Sequence, residues 1–511
     1  MKINSIIVVG GGSSGWMTAA ALGKCCPNIK TTLIASSSVP IIGVGESTLT
    51  NINQYLRMLG LKDTDWMPEC GASYKTSIRF SNFQGDETYY QDTLKSVVPP
   101  VKMNSIVDFF MLCHLFPEEF KVRDFSKFFD DNDHMTETAC FSAGHPRMFW
   151  NWSEDHAYHM DADRFGLALK TLVADPSGVE YIEDLIEEVL TDDSGIAGLR
   201  TTLNGTLKAD LYIDCSGFRS LLLGETLGVP FNSFLDRLPN DRAWATTIDY
   251  QDPDREMTSY TDCRAMNAGW CWSIPTYERM GSGYVYSSQF LSDEQALAEY
   301  KAYLDSTFGA RYREPRLIQF QAGVREQAWY KNCLGIGVSN GFIEPLRSTG
   351  LMMTHINVIR LVDLLERTQG DVNRVDRDAY NFLVKDHIHG LVNLVTSNYC
   401  FSRRRDTAYW RHVTENIPHN TPYYQSFALT VLDNIPNPNS LYDFNLRILT
   451  GNNYNPISRR SFLERISAEE TRRLTVMRDY WRKRKSELEQ LTNTFPSQYE
   501  FLSKEIYRDA K

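Results

Sequence analysis

A run of β-branched residues, Ile6-Ile7-Val8-Val9, leads without interruption into Gly10-Gly11-Gly12-Ser13-Ser14-Gly15 and then into an alanine-rich helical stretch, Trp16 to Gly23. A second strand pattern follows at Thr31 to Ala35. Strand, glycine turn, helix and strand inside about 35 residues make the opening of a βαβ unit, which commits the chain to a parallel sheet covered by helices. Gly10, Gly12 and Gly15 fit GxGxxG. The first permits the tight turn, the second lets backbone amides approach a pyrophosphate, and the third lets helix and strand pack closely. An anion at this turn meets free N–H groups and the positive end of the helix, so a dinucleotide is the expected ligand. The acid that commonly ends the second strand and holds the ribose hydroxyls is missing, because the strand ends Leu33-Ile34-Ala35-Ser36. Ser36 or Ser37 is the polar group left to replace it.

The rest of the 511-residue chain bounds the class. Lys and Arg number 53 against 64 Asp and Glu, a net charge of −11, which argues against nucleic acid and anionic lipid as partners. Ten cysteines include no CxxC and no Cys/His pair at zinc-ligand spacing. Reduced, buried thiols and no metal site are therefore expected. No apolar run approaches the ~18 residues of a membrane span, and a strand at the start of the chain leaves no room for a signal peptide. These features predict a soluble, cytoplasmic protein, monomeric or homodimeric. Gly195 to Arg200 and Leu207 to Ile213 read as strands of a smaller sheet. Residues 100–160 are crowded with aromatics and acids and read as helical or irregular, and from residue 376 the pattern turns helical and polar. No repeat or long linker divides the chain. The expected architecture is one compact unit of two interleaved modules, an α/β doubly wound module over 1–99 and 160–375 and a mostly helical module over 100–159 and 376–511.

Four further segments combine reactive residues with special backbone demands. In Ile41-Ile42-Gly43-Val44-Gly45-Glu46-Ser47-Thr48 two glycines flank a small apolar residue, which suits either close approach to a flat ligand or a tight surface turn. In Gly71-Ala72-Ser73-Tyr74-Lys75-Thr76-Ser77-Ile78-Arg79-Phe80, strand alternation puts Tyr74, Thr76, Ile78 and Phe80 on one face and Lys75 on the other. Taken alone, that is a lysine on a solvated face. Trp270 and Trp272 stand two apart, share a strand face and read as large core residues. Ser348 or Thr349 reads as the N-cap of a helix over Leu351 to Leu365, and a helix start is also an anion site.

In Gly10 to Trp16, Gly43 to Thr48, Gly269-Trp270-Cys271-Trp272-Ser273-Ile274-Pro275 and Gly341-Phe342-Ile343-Glu344-Pro345-Leu346-Arg347-Ser348-Thr349-Gly350, the chain resembles the flavin-dependent halogenase family, particularly its tryptophan-halogenase branch. The third segment fits the WxWxIP signature that sets this family apart from flavin monooxygenases. Ile213 to Arg219, Asp241-Arg242-Ala243 and His159-Met160-Asp161-Ala162 add to the likeness. The matches run from residue 6 to about residue 355 and fade beyond it.

The resemblance implies a flavin-monooxygenase-like FAD module and a definite chemistry. Reduced FAD, supplied by a separate NAD(P)H-dependent flavin reductase, and dioxygen oxidise chloride, bromide or iodide to hypohalous acid. That oxidant travels down an internal tunnel to an aromatic small-molecule substrate. Lys75 is then the residue that delivers the halogen as an electrophile, and desolvation would lower its pKa. The resemblance places FAD against Gly10, Gly12, Ser13, Ser14, Gly15, Ser36, Gly43, Val44, Gly45, Glu46, Ser47, Leu185, Val338 and Leu351. Halide falls to Thr349 and Gly350. Trp270 and Trp272 become a barrier that keeps organic substrate from the flavin while a small oxidant passes. The first module becomes the FAD and halide module, and the helical one binds substrate.

Arg347 is the departure. The tryptophan branch usually carries a glutamate immediately before Ser-Thr, whereas here the only acid nearby is Glu344 of the Glu-Pro pair. Both residues are placed with Lys75 in the catalytic set. A cation at 347 either disfavours the ammonium form of Lys75 and orients hypohalite or an anionic substrate, or points away into a salt bridge. The branch's amino-acid clamp is not reproduced at Phe444-Asn445-Leu446-Arg447. An indole-like or other electron-rich ring, rather than free tryptophan, is therefore the expected substrate. The alternatives are an FAD-dependent aromatic monooxygenase and a catalytically silent flavin-binding regulatory protein.

Overall fold

The computed structural model describes residues 1–39, 46–94, 107–148, 151–415, 447–453 and 466–508. The N-terminal strand Ser5–Val9 lies in the middle of a six-stranded sheet, between Lys30–Ala35 on one side and Leu211–Asp214 on the other, both parallel to it. Glu180–Glu183 extends the sheet beyond Lys30–Ala35, and Cys333–Gly335 extends it beyond Leu211–Asp214, again in parallel. Only the outermost strand, Trp329–Tyr330, pairs antiparallel. A parallel sheet is covered on both faces, which is why these strands read as unbroken β-branched runs. The glycine-turn helix spans Ser13–Cys25 and is buried from Gly15 to Gly23. It begins three residues earlier than the alanine pattern suggests.

Two expected strands need correction. Leu207 to Ile213 is not one strand. Gly205–Leu207 closes an antiparallel hairpin with Gly195–Thr201, and after a turn Leu211–Asp214 enters the parallel sheet. The segment around Lys75 is likewise broken. Ser73–Lys75 pairs with Ala157–Met160, which also pairs with Glu46–Ser47, in a three-stranded sheet. Ser77–Ser81 instead joins a seven-stranded sheet between Tyr260–Met266 and Tyr89–Thr93. Thr76 is the crossing point, its N–H donating to Ser259 O at 2.7 Å and its carbonyl accepting from Leu94 N at 3.0 Å. Alternation does not carry through a change of sheet, and Tyr74 and Ile78 stand on separate strands of different sheets. Both sides of the segment are inside the protein, since every residue from Ala72 to Ile78 is buried.

The seven-stranded sheet continues from Tyr260–Met266 through Gly269–Pro275, Met280–Tyr286, Arg242–Ile248 and Arg316–Gln319. Helices Thr349–Thr368, Arg374–Cys400, Ala408–Glu415, Ala468–Thr492 and Gln498–Glu505 complete the polar C-terminal part. A separate apolar cluster joins Phe109, Phe110, Phe125 and Phe128 to Leu449, Leu474 and Met477, so the early aromatic-rich segment packs with the end of the chain. None of the ten cysteines forms a disulfide, and all except Cys25 are buried. Among the described residues no helix is long and apolar enough to cross a membrane.

Candidate active site

Lys75 is fully buried. Its Nζ donates to Thr48 O and to Ser348 Oγ, each at 2.8 Å. Burial, with a smaller contribution from the nearby Arg347 guanidinium, brings its pKa down to about 7 against the opposing pull of Cys263. The amine is therefore available in its neutral, nucleophilic form near neutral pH. The lysine on a solvated face is excluded.

Ser348 stands at the start of helix Thr349–Thr368 with φ of 57°, in the left-handed region, and makes no side-chain cap. Its hydroxyl instead accepts from Lys75 and donates to Ser47 Oγ at 3.0 Å. Thr349 does not cap either, because its Oγ1 donates to Glu344 O at 3.4 Å. The capping role expected of one of them is thus absent, and no acid sits in the first turn. The glycine-turn helix is the same: Gly12 at its start offers no side chain, and its first turn has no acid. Elsewhere Asp161, Ser292, Asn373, Ser467 and Ser497 cap their helices with side-chain oxygens. These two helix starts keep N–H groups for anions.

The two starts lie together. A Cβ on Gly337 would fall 2.2 Å from Ser14 Oγ, and Ser14 Oγ lies 3.1 Å from Thr354 Oγ1. The turn Gly337–Ser339, which holds Val338, thus wedges between the glycine turn and the helix that begins with Thr349, Gly350 and buried Leu351. The glycines do what their spacing requires. A Cβ on Gly15 would meet Gly10 O at 1.8 Å, and Gly10, with φ of 119°, presses on Cys215 O. Half-buried Glu46 points at the second helix start, with Oε2 3.4 Å from where a Gly350 Cβ would lie. Loss of hydration and nearby Asp163 push its carboxyl up to about 7. Ser47 turns its hydroxyl inward, to Ser348 and to Thr261. Gly43, Val44 and Gly45 lie outside the described residues, as do Phe444, Asn445 and Leu446.

Arg347 resolves into the salt-bridge reading while staying close to Lys75. It is buried, ion-paired with fully buried Asp92, and donates from Nη2 to Asn398 Oδ1 at 2.8 Å. Its guanidinium carbon lies 4.4 Å above the Phe80 ring. Arg447 approaches the same carboxylate at 3.4 Å. Burial lowers the Arg347 pKa to about 10, so it remains a cation at neutral pH. Glu344 is fully buried, accepting from Asn240 Nδ2 at 2.6 Å and from the Tyr399 hydroxyl. Its pKa is pushed up to about 7 by desolvation against those hydrogen bonds. Its oxygens are thus engaged by Asn240 and Tyr399. Asp92, Asn398, Asn240 and Tyr399 carry no sequence signal of their own, being ordinary residues in an ordinary strand, loop and helix.

Trp270 and Trp272 lie on one fully buried strand with ring centroids 6.2 Å apart. Trp272 pairs with Cys263 across one edge and Gly283 across the other. Gly283 has no alternative, because a Cβ there would sit 2.1 Å from the Trp272 indole. At the end of strand Lys30–Ala35, Ser36 Oγ bonds the Ser38 hydroxyl at 2.8 Å and accepts from Ser38 N at 3.3 Å. A carboxylate stands beside the end of that strand, on its neighbour. Glu183 pairs in register with Ala35, and its Oε1 accepts from Ser37 N at 2.6 Å. Leu185, 46% exposed, follows it by two residues. Parallel pairing, not nearness in sequence, brings that carboxylate to Ala35.

Residues 5–430 match the tryptophan halogenase family. The chain belongs to that family. It is 32% identical to the tryptophan 6-halogenase ThaL of Streptomyces albogriseolus over 423 residues, 80% of this chain and 78% of that protein. The structure of VirX1 superposes with a TM-score of 0.92 at 36% identity, covering 99% of this chain and all of that one. The flavin-dependent halogenase BrvH of Brevundimonas sp. BAL3 gives 0.84 at 27% identity, covering 98% and 99%. The protein is accordingly a flavin-dependent halogenase, an oxidoreductase whose chemistry calls on FAD and a halide. The glycine cradle and the two uncapped helix starts fit a dinucleotide with a small anion beside it.

Proposed function

We propose that this halogenase uses Lys75 to transfer an oxidised halogen to an electron-rich aromatic substrate, indole-like or otherwise, and that its site is not built for free tryptophan. The single observation that carries the reading is a lysine amine buried among hydrogen-bond acceptors, shifted toward neutrality, and one hydrogen bond from the helix start assigned to halide.

The backbone of Gly10, Gly12, Ser13, Ser14 and Gly15 would hold the FAD pyrophosphate. Ser36 and Leu185 would lie at its adenosine end, and Glu46, Val338 and Leu351 beside its ring. Amides of Thr349 and Gly350 would hold halide. When bound, reduced FAD with dioxygen supplies the oxidation of halide to hypohalous acid, and a separate NAD(P)H-dependent reductase supplies the reduced flavin. Trp270 and Trp272 wall the substrate off. At the neutral Lys75 amine an N–halogen bond forms as the halogen–oxygen bond breaks, and an amine proton leaves with hydroxide as water. Alternatively the amine holds intact hypohalous acid by a hydrogen bond. The aromatic carbon then takes the halogen and releases its ring proton. Arg347, fixed by Asp92 and Asn398, keeps a positive charge beside the amine. It stands where the tryptophan branch carries glutamate, which argues for a different substrate. The helical segments would form the substrate side.

The test is a mass-spectrometric screen of indoles, phenols and free tryptophan with reduced FAD, oxygen and chloride, bromide or iodide. Halogenated product that disappears in Lys75→Ala, with FAD binding retained, is the expected result. Hydroxylated product marks a monooxygenase, and efficient regioselective chlorination of free tryptophan overturns the substrate reading.

A further inference from the structure

Lys75 is one end of a buried file of hydrogen bonds. From Nζ the file passes to Ser348 Oγ at 2.8 Å, to Ser47 Oγ at 3.0 Å and to Thr261 Oγ1 at 2.7 Å. It then reaches His159 Nε2 at 2.9 Å, leaves from Nδ1 to Ser73 Oγ at 3.4 Å, and ends on Pro275 O at 2.5 Å. Every member is buried, and Lys75, His159 and Ser73 are wholly inaccessible. The residues come from five strands and a helix start, in two sheets.

The direction of the file follows from its last atom. A proline carbonyl only accepts, so Ser73 gives its one hydroxyl proton to Pro275 O. Ser73 then presents a lone pair to His159, whose Nδ1 therefore carries the ring proton. Nε2 is left as an acceptor, so Thr261 donates to it, Ser47 donates to Thr261, and Ser348 donates to Ser47. Ser348 thus has only a lone pair for Lys75. Burial holds His159 well below the usual histidine range, with Lys75 itself adding to the effect, which keeps the ring neutral and this polarity fixed.

We infer that Thr261 and His159 are positioning residues of the halogenation reaction, acting through Ser47 and Ser348 to fix which way the Lys75 amine presents its lone pair. A neutral amine has two N–H bonds. Here they go to Thr48 O and Ser348 Oγ, and the lone pair is left free for the halogen. With the file reversed, Ser348 would donate to the amine nitrogen and occupy that lone pair. The inference rests on Lys75 as the delivering residue. The other titratable groups that bear on the amine are Arg347 and Cys263, and neither belongs to the file.

Thr261→Val removes the hydroxyl at nearly constant shape, and Thr261→Ser keeps it. In Thr261→Val, Ser47 loses its acceptor, donates back to Ser348, and turns the Ser348 proton onto Lys75. Only the neutral amine can accept that proton, so its pKa falls. The assay uses the full-length enzyme with reduced FAD, bromide and an indole found reactive in the screen. It measures halogenated product, free hypohalous acid caught by an added trap, and FAD affinity. Thr261→Val should lose about tenfold in product per oxidant formed and release more oxidant to the trap. The acid limb of its pH profile should move below that of the wild type, FAD affinity should be unchanged, and Thr261→Ser should restore both yield and limb. Wild-type yield with an unmoved limb in Thr261→Val overturns the inference, as does a failure of Thr261→Ser to rescue. Lys75→Ala, run alongside, separates the levels: if it halogenates normally, the delivery role itself is lost and the inference goes with it.

Discussion

At the scale of single residues, Lys75 shows that a buried amine costs the fold stability. An unfolded lysine titrates near 10.5 and the folded one near about 7. Between those values the unfolded chain holds a proton that the folded chain lacks, so stability rises with pH across the window. The full penalty is present below pH 7. Lys75→Met removes it, at the expense of two hydrogen bonds worth about 1 kcal/mol each, for a net gain on the order of 3 kcal/mol. Thermal melts should find the variant more stable than wild type at pH 6, with the difference shrinking toward pH 10 while halogenation is lost. A variant less stable at every pH would mean that the amine is not desolvated as described. Arg347 teaches a related lesson. Its charge is tolerable because Asp92, itself fully buried, lies against it, and truncating Asp92 would strand the guanidinium in a dry interior.

At the scale of elements, the tryptophan strand depends on the strand beside it. Gly269–Pro275 is buried on both faces, and the Trp272 indole lies against Gly283 of Met280–Tyr286. Gly283→Ala would place a methyl inside the ring's contact distance and within 2.6 Å of Trp244 O. Overpacking of this kind typically costs 1–3 kcal/mol, with about the upper end expected where backbone also blocks relief. A fall in the urea midpoint with unchanged slope should report it, whereas an unchanged midpoint would show that the ring can move aside. The same scale explains which elements the sequence made legible. The glycine turn, its strands and the paired tryptophans follow local rules, and they stand where spacing placed them. The lysine segment does not, because the chain leaves one sheet for another at Thr76, and alternation says nothing about which neighbour a strand will find.

At the scale of the whole molecule, the C-terminal residues pack against the strand that carries Lys75, on its Tyr74 side. Tyr507 donates to Met67 O at 3.0 Å and Ala72 O at 2.7 Å, and stacks on Tyr277 with centroids 3.6 Å apart. Phe501, from the last helix, packs against Tyr74 and Phe141. Deleting residues 498–511 should therefore lower the melting temperature and open the Tyr74 side of this strand to solvent. Hydrogen exchange of the Ala72–Lys75 amides would register the opening, and a truncated chain with the wild-type melting temperature would show that other elements hold the strand.

By itself the sequence determined the glycine cradle, the βαβ start, the two-tryptophan strand and the family likeness. All of these are short-range patterns, in which a few adjacent residues set the local backbone. Only the tertiary structure decided what surrounds the lysine. The bonds Lys75–Ser348, Ser348–Ser47 and Ser47–Thr261 join residues 273, 301 and 214 positions apart, and Thr261–His159 spans 102. Arg347 meets Asp92 from a distant part of the chain, and Glu183 reaches Ala35 through sheet register. Desolvation, ion pairing and the direction of a hydrogen bond are properties of neighbours in space. They exist only once the chain has closed around them.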